Sequence, residues 1–284
     1  MRTWLVIILA IMLQIPACFA QEAAPVPSPW HYKDYTIKVI PGKTKYSMQD
    51  LQITRQDTIL TRLSYFSFVL PNDHFPVRDI TGSGHKEISI VENCLTTEGL
   101  PCDELYLYEL EPSFKLLGHF TIDDDETQAI RYTKSGLRIT AVGIGFCGAS
   151  KFECEETDGG IGYLNYYVTY KNGKFVLDTD YMKKPPYDSA YIKHVTDDIQ
   201  KIAATPKLSD EEKLFQNHND TEIQAFKFFY DGNGQQAENL IDTLYIGSTA
   251  EKKAAFKEVV RAICIPPYGA DIAAMSQMTC PAKH

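Results

Sequence analysis

Candidate oxygen ligands occupy every second position from Asp79 to Glu87, within the stretch Val77–Asn93, VRDITGSGHKEISIVEN. The candidate ligands are Asp79, Thr81, Ser83, the carbonyl of His85, and Glu87. An aspartate followed by glycine-spaced oxygen ligands is how a short calcium loop is built. We therefore expect these residues to form either a calcium loop or an ion-free turn that closes a hairpin.

The same stretch predicts a tight turn that leads into a strand. Asp79 can accept backbone N–H bonds from the residues that follow it. Gly82 and Gly84 can adopt positive φ at little steric cost. Ile88 and Ile90 then alternate with other residues at the period of a half-buried strand.

Cysteines form a second set of candidate residues. Six of them follow residue 20, and an even number in an exported chain is typical of disulfides. Proximity favours three pairs, although six cysteines allow 15 pairings. The favoured pairs are Cys94–Cys102, Cys147–Cys154 and Cys264–Cys280. Zinc is a poor alternative, because neither Cys-x-x-Cys nor His-x-x-x-His occurs.

An acidic, glycine-rich segment surrounds the fourth of these cysteines. If the predicted bridge forms, the segment is a constrained loop that loses little entropy on docking, which suits insertion into a basic cleft. Its candidate binding residues are Cys147, Cys154, Glu155, Asp158 and Tyr163. A plain solvated loop is the alternative. A glycosidase needs two carboxylates at a fixed separation, so this segment and Asp123–Glu126 also leave a hydrolase open.

Catalytic motifs give little support to an enzyme. The chain has no Gly-x-Ser-x-Gly, no His-Glu-x-x-His and no P-loop. Its seven histidines are scattered without metal-ligand spacing. These observations favour a non-catalytic protein with no cofactor, or with calcium alone.

The elements that must position these residues predict an α+β fold. We expect a signal peptide at 1–20, a linker at 21–34, a β-rich domain at 35–184 and a helical domain at 185–284. The β-rich part alternates apolar and polar residues, and Asn172-Gly173 is a hairpin turn signal. It is expected to be propeller-like or to consist of open antiparallel sheets. After Pro186 the apolar spacing becomes helical, with capping boxes at Ser209 and Ser248, which predicts a small helical bundle.

The turn at residue 79 resembles one FG-GAP repeat of the integrin-α-type β-propellers. The calcium loop of that family runs roughly Asp-x-Asp-x-Asp-Gly-x-x-Asp before a strand. Asp79, Gly84 and Glu87 occupy its first acid, its glycine and its last acid, whereas Thr81 and Ser83 replace two acids. The resemblance implies a propeller-like fold and a calcium ion.

The order of features also resembles a group of exported bacterial proteins with a single FG-GAP-like stretch. The segments that carry this likeness are VRDITGSGHKEISIV, TKSGLRI and YKNGKFVL. Some members of the group are immunity proteins that neutralise lysozyme-like peptidoglycan hydrolases. The resemblance thus implies an inhibitor of a cell-wall hydrolase, but it transfers no single inhibitory residue.

The N-terminus predicts export to the periplasm or beyond. Arg2 precedes an apolar run from Trp4 to Ile15, and Cys18-Phe19-Ala20 is a small-x-small site for cleavage after Ala20. Lipidation of Cys18 is the alternative. The apolar run is too short for a membrane span.

Net charge bounds the partners. Loss of Arg2 with the signal peptide changes the formal charge from −9 to −10. An acidic chain disfavours nucleic acid and anionic lipid surfaces as partners and permits a basic protein. Three functions therefore remain open: a non-catalytic binding or inhibitory protein, a glycan-directed hydrolase, and a structural module of the envelope. Oligomeric state is not determined by the sequence.

Overall fold

The computed structural model confirms an α+β fold with a β-rich N-terminal part and helices at the C-terminus. It describes residues 29–44, 47–65, 67–69, 77–93, 103–122, 129–133, 136–142, 164–265 and 267–281. The chain separates into two compact units, one of residues 1–45 and 49–64 and the other of residues 46–48 and 65–284. The division therefore lies near residue 65, whereas the sequence analysis placed it between 184 and 185.

The elements appear in chain order as strands and then helices. The strands are β1 (Trp30–Tyr32), β2 (Tyr35–Ile40), β3 (Gln49–Arg55), β4 (Thr58–Tyr65), β5 (Ser67–Val69), β6 (Val77–Arg78), β7 (Glu87–Asn93), β8 (Asp103–Glu109), β9 (Lys115–Ile122), β10 (Ile130–Thr133), β11 (Gly136–Val142), β12 (Asn165–Lys171) and β13 (Lys174–Leu177). The helices are α1 (Thr179–Met182), α2 (Ser189–Ala203), α3 (Asp210–Tyr230), α4 (Gly234–Leu244), α5 (Thr249–Cys264) and α6 (Gly269–Met275).

The first unit is an antiparallel meander in the order β1-β2-β3-β4. Ile37 lies opposite Ile53 and Val39 opposite Leu51, so these apolar side chains share one face at the period of two that a strand imposes. Ile37, Leu51 and Ile53 are fully buried. Strand β1 begins inside the segment 21–34 that the sequence analysis took for a linker. His31 pairs with Thr36 in this strand, because a hairpin turn at Lys33 folds the chain back onto β2.

The second unit contains two further antiparallel sheets. One has the order β5-β7-β8-β9, with β6 also paired to β7, and the other has the order β10-β11-β12-β13. The turn Asn172-Gly173 joins β12 to β13 with φ angles of 52° and 80°, which confirms the predicted hairpin. Closure of the sheets into a propeller stays a prediction.

These two sheets pack against each other through aromatic rings. Phe120 of β9 meets Phe175 of β13 edge to face, with ring centroids 5.0 Å apart, a favoured geometry for aromatic pairs. Gly118 makes this contact possible, because a Cβ at that position would lie 2.5 Å from the Phe120 ring and 2.9 Å from the Phe175 ring. Both sheets and the helices contribute to one hydrophobic core.

The helices begin where the sequence predicts. Ser209 and Ser248 each form a complete capping box, with Glu212 and Glu251 respectively, so two backbone donors at each helix start are satisfied. Helix α3 is the central one, and its last turns are buried. Among the described residues no helix is both long enough and apolar enough to span a membrane.

The segment between α1 and α2 is held against the helical part. The Tyr187 ring stacks on Phe228 with centroids 4.2 Å apart. Its backbone N–H donates to Gln236 Oε1, and Gln236 Nε2 donates to its carbonyl, both at 2.9 Å. The Tyr187 hydroxyl also donates to Asp231 Oδ2. These contacts place the lysines that precede Tyr187 beside β13.

The predicted bridge between Cys264 and Cys280 is present, and it ties the end of α5 to the C-terminal segment across 16 residues of chain. In the loop-entropy account a bridge of this span stabilises by about 3 kcal/mol. We therefore expect Cys264→Ser combined with Cys280→Ser to lower the free energy of unfolding by about that amount, measured by urea denaturation without reductant. Reduced wild-type protein is the control and should match the variant. Equal stability of oxidised wild type and variant would contradict the expectation.

Candidate functional site

The turn at residue 79 has the backbone conformation that its sequence predicts. The Gly84 N–H donates to Asp79 Oδ2 at 3.0 Å. Gly82 and Gly84 have φ angles of 75° and 85°, a region that glycine enters without steric penalty. Strand β7 begins at Glu87, after the turn.

The side chain of Glu87 holds the turn together by hydrogen bonds. Its side chain is fully buried, and both carboxylate oxygens accept hydrogen bonds from the turn. The donors are the Ile80 N–H at 2.6 Å, the Thr81 N–H at 3.3 Å, the Thr81 hydroxyl at 2.8 Å and the Ser83 hydroxyl at 3.1 Å. A buried carboxylate is tolerable only when donors satisfy it in this way.

This donor set fits an ion-free turn better than the predicted calcium loop. A backbone N–H presents a hydrogen, not a lone pair, to the carboxylate, so it occupies space that a cation would need. The described part of the chain contains no group of three or more His, Cys, Asp or Glu arranged to hold a metal. Asp79 Oδ1 is buried without a hydrogen-bond donor and is the oxygen that calcium would use. The calcium loop thus stays a prediction.

A second buried carboxylate lies beside the turn. Glu109 is 1% exposed, and its Oε2 lies 2.9 Å from His85 Nδ1 while its Oε1 lies 2.9 Å from Lys115 Nζ. Burial alone would raise the pKa of Glu109, but the neighbouring lysine and histidine outweigh it and lower that pKa. The His85 ring therefore helps to stabilise a buried carboxylate at the end of β8.

The other candidate binding residues lie outside the described part of the chain. They are Cys147, Cys154, Glu155, Asp158 and Tyr163, together with Cys94 and Cys102 and the acidic run Asp123–Glu126. The predicted binding loop and two of the predicted disulfides therefore stay predictions.

The structure brings together a polar cluster that the sequence analysis did not identify. Glu92 and Glu104 face each other across β7 and β8. Glu104 Oε2 lies 2.7 Å from His119 Nε2, and Glu104 Oε1 accepts from the Thr121 hydroxyl at 2.9 Å. The His119 ring stacks on Tyr106 with centroids 4.2 Å apart. Strand alternation could have grouped these residues, but only the register sets Glu92 opposite Glu104.

Burial makes Glu92 the unusual member of this cluster. It is 4% exposed. Its pKa is raised to about 6, chiefly by burial and in part by the nearby Glu104, while a hydrogen bond from Tyr106 opposes the shift. Burial also raises the pKa of Tyr106. A carboxyl that titrates near 6 beside a second carboxylate is a feature of acid–base sites, although structural clusters also show it.

A groove runs along the last strand of the third sheet. It has a volume of about 1010 Å³ and is bounded by β13, α1, residues 183–186 and α6. This is at the upper end of the roughly 300–1,000 Å³ of small-molecule pockets. Phe175, Val176 and Leu177 contribute to its lining on one side, and Tyr268 and Met275 on another.

Charged side chains mark the groove. Lys174, Lys183 and Lys184 line it, as do Asp180 and Asp271. None of the three lysines forms an ion pair with any described residue. The groove therefore carries a positive excess in a chain whose formal charge is −9.

Helix α1 sets one wall of the groove by a buried ion pair. Arg138 Nε lies 2.8 Å from Asp178 Oδ2, at the residue that precedes the helix. The Arg138 guanidinium also lies 3.7 Å from the centroid of the Tyr181 ring, and Tyr167 meets that ring edge to face at 4.6 Å. The helix is therefore fixed to β11 and β12, although it spans one turn.

Three large apolar side chains of the helical part are exposed. Leu214, Phe215 and Ile246 are 40%, 49% and 50% exposed. His218 stacks on Tyr245 at 3.9 Å, and its Nε2 lies 2.5 Å from the Ile246 carbonyl oxygen. Exposed apolar side chains mark contact surfaces where they form a contiguous patch.

If the turn at residue 79 is ion-free, calcium should leave the stability of the protein unchanged. We expect the same thermal midpoint in millimolar calcium and in EGTA, measured by circular dichroism. Asp79→Asn should behave alike in both buffers. A higher midpoint in calcium that the Asp79→Asn variant loses would contradict this and establish a calcium site.

The raised pKa of Glu92 predicts a pH dependence of stability. The folded protein holds the proton more tightly than the unfolded chain does, so the carboxyl destabilises the fold as pH rises from the unfolded value of 4.5 through about 6. We expect the free energy of unfolding of Glu92→Gln to rise by about 2 kcal/mol relative to that of wild type between pH 4 and pH 8. Urea unfolding at a series of pH values measures this difference. The pKa of Glu222 is also raised by burial, to about 7, but it titrates in both proteins and cancels. The prediction would be contradicted if the free energies of unfolding of wild type and Glu92→Gln changed in parallel with pH.

Comparison with known proteins adds no identification. No family model, no curated protein and no solved structure matches this chain. The FG-GAP resemblance therefore depends on the residues of the turn, chiefly Asp79, Gly84 and Glu87, and stays a prediction.

Proposed function

We propose that the chain is an exported, non-catalytic protein-binding module. The observation that carries this proposal is the groove along β13, where apolar side chains lie between three lysines that have no ion-pair partner among the described residues. An apolar surface with a charged rim is typical of protein interfaces. No histidine, cysteine or serine of the described chain lines the groove.

Export is supported by two independent features. The N-terminal residues have the order of a cleavable signal peptide, with a site after Ala20. The Cys264–Cys280 bridge is of the kind that persists in an oxidising compartment such as the periplasm.

A more specific role is inhibition of a cell-wall hydrolase, as an immunity protein would provide. This role is supported by the acidic balance of the chain and by the predicted loop at 147–163, which would suit a basic partner. The groove would instead select an acidic partner. The two surfaces can therefore be separated by variants that change only one of them.

Two alternatives each have one supporting observation. The Glu92 and Glu104 pair, with His119 beside it, favours a glycan-directed hydrolase. The exposed Leu214, Phe215 and Ile246 favour a structural module of the envelope.

The test is capture of partners from envelope extract with purified full-length mature protein. The groove variant is Lys183→Glu with Lys184→Glu, and its matched control is Lys253→Glu with Lys257→Glu, which makes the same charge change on exposed positions of α5. We expect wild type and control to retain a partner that the groove variant loses. Circular dichroism checks that all three are folded.

Other results would favour a different functional interpretation. Loss of the partner in Cys147→Ser with Cys154→Ser, but not in the groove variant, would favour the inhibitory loop. Absence of any partner, combined with peptidoglycan hydrolysis that Glu92→Gln abolishes, would contradict the proposal and favour the hydrolase.

A further inference from the structure

The free edge of the third sheet borders the groove. Strand β13 is last in the order β10-β11-β12-β13, so one of its sides has no neighbouring strand in the described chain. The groove touches all four residues of this strand. An unpaired strand edge presents a row of backbone donors and acceptors to any extended chain that comes near.

Hydrogen-bond alternation shows which backbone groups face outward. The Asp178 N–H donates to the Tyr167 carbonyl at 2.7 Å. In an antiparallel pair every second residue is bonded to its neighbour, so Val176 and Lys174 also face β12. The N–H and C=O groups of Phe175 and Leu177 therefore point away from β12, and no hydrogen bond from another described residue reaches them.

Side-chain packing keeps this edge in place. Phe175 and Leu177 are 8% and 6% exposed and belong to the core. Their backbone groups are thus held in an extended conformation by buried side chains on one face. A ligand strand would meet a preorganised edge, which lowers the entropy cost of binding.

The charges around the edge select the composition of the ligand. Lys174 lies at one end of β13, and Lys183 and Lys184 lie on another side of the groove. Asp180 and Asp271 oppose them in part, which leaves one positive charge in excess. Alternate side chains of an added strand point to opposite faces, so one set can be acidic and the other apolar.

We propose that the groove binds an extended, acidic segment of the partner protein, a proposal that rests on the proposed function. This segment adds to β13 as a further antiparallel or parallel strand. The backbone of that segment bonds to the outward groups of Phe175 and Leu177. Its carboxylates lie near Lys174, Lys183 and Lys184. Main-chain bonds then supply affinity and side chains supply specificity, as in other cases of strand addition.

The experiment measures binding of fluorescein-labelled peptides to the full-length mature protein by fluorescence anisotropy. The probe is a short blocked peptide of alternating glutamate and valine. Its lysine–valine analogue tests charge. Two isomeric probes, N-methylated at either the glutamates or the valines, test backbone bonding, because only one set of N–H groups can face β13.

We expect the glutamate peptide to bind and the lysine analogue to bind at least about tenfold more weakly. One N-methylated isomer should lose about tenfold or more in affinity, while the other retains it. The groove variant with Lys183→Glu and Lys184→Glu should lose about tenfold, and the control with Lys253→Glu and Lys257→Glu should match wild type.

Several results would overturn the proposal. Equal loss for both N-methylated isomers, or none for either, would exclude pairing to the strand edge. Competition by inorganic polyphosphate as strong as by the peptide would show a general anion site. Failure of every peptide, with groove-dependent capture from envelope extract intact, would reject strand addition and leave the proposed function standing. Failure of both peptide binding and groove-dependent capture would reject strand addition and the proposed function together.

Discussion

The edge-to-face contact of Phe120 with Phe175 is the interaction on which the second unit depends. It joins the second sheet to the third, and it can form only because Gly118 leaves room for both rings. The same contact buries the side chain of Phe175 while its backbone lies at the sheet edge. One packing interaction therefore stabilises the core and holds the strand beside the groove in an extended form. A larger residue at 118 would disturb both at once.

The buried carboxylates of this structure differ in the groups that surround them. Glu87 receives hydrogen bonds from the turn that it closes, and Glu109 lies between a lysine and a histidine. Burial and the nearby carboxylate of Glu104 raise the pKa of Glu92, and the hydrogen bond from Tyr106 offsets only part of that shift. The first two stabilise local structure because donors replace the water they lost. The third carries a free-energy cost at neutral pH, and such a cost occurs in functional sites as well as in structural clusters.

Local signals in the sequence predicted local structure well. The capping boxes at Ser209 and Ser248, the hairpin at Asn172 and the bridge between Cys264 and Cys280 all depend on residues close together in the chain. Each was predicted and is present. The boundary predicted at 185 follows a change from strand to helix periodicity, and such a change does not show whether the two parts share a core. They do share one, since sheet and helix residues belong to the same buried cluster.

The sequence by itself determined the α+β class, the turn at residue 79 and the starts of the main helices, because these follow from periodicity, glycine φ angles and capping chemistry. Only the tertiary structure decided which groups meet. Glu92 opposes Glu104 through strand register, and Lys174 shares a groove with Lys183 because α1 folds back onto the third sheet. The open edge of β13 is likewise a property of sheet order, which no local pattern encodes. Long-range pairing depends on packing energy summed over the whole core, and a short stretch of sequence does not contain it.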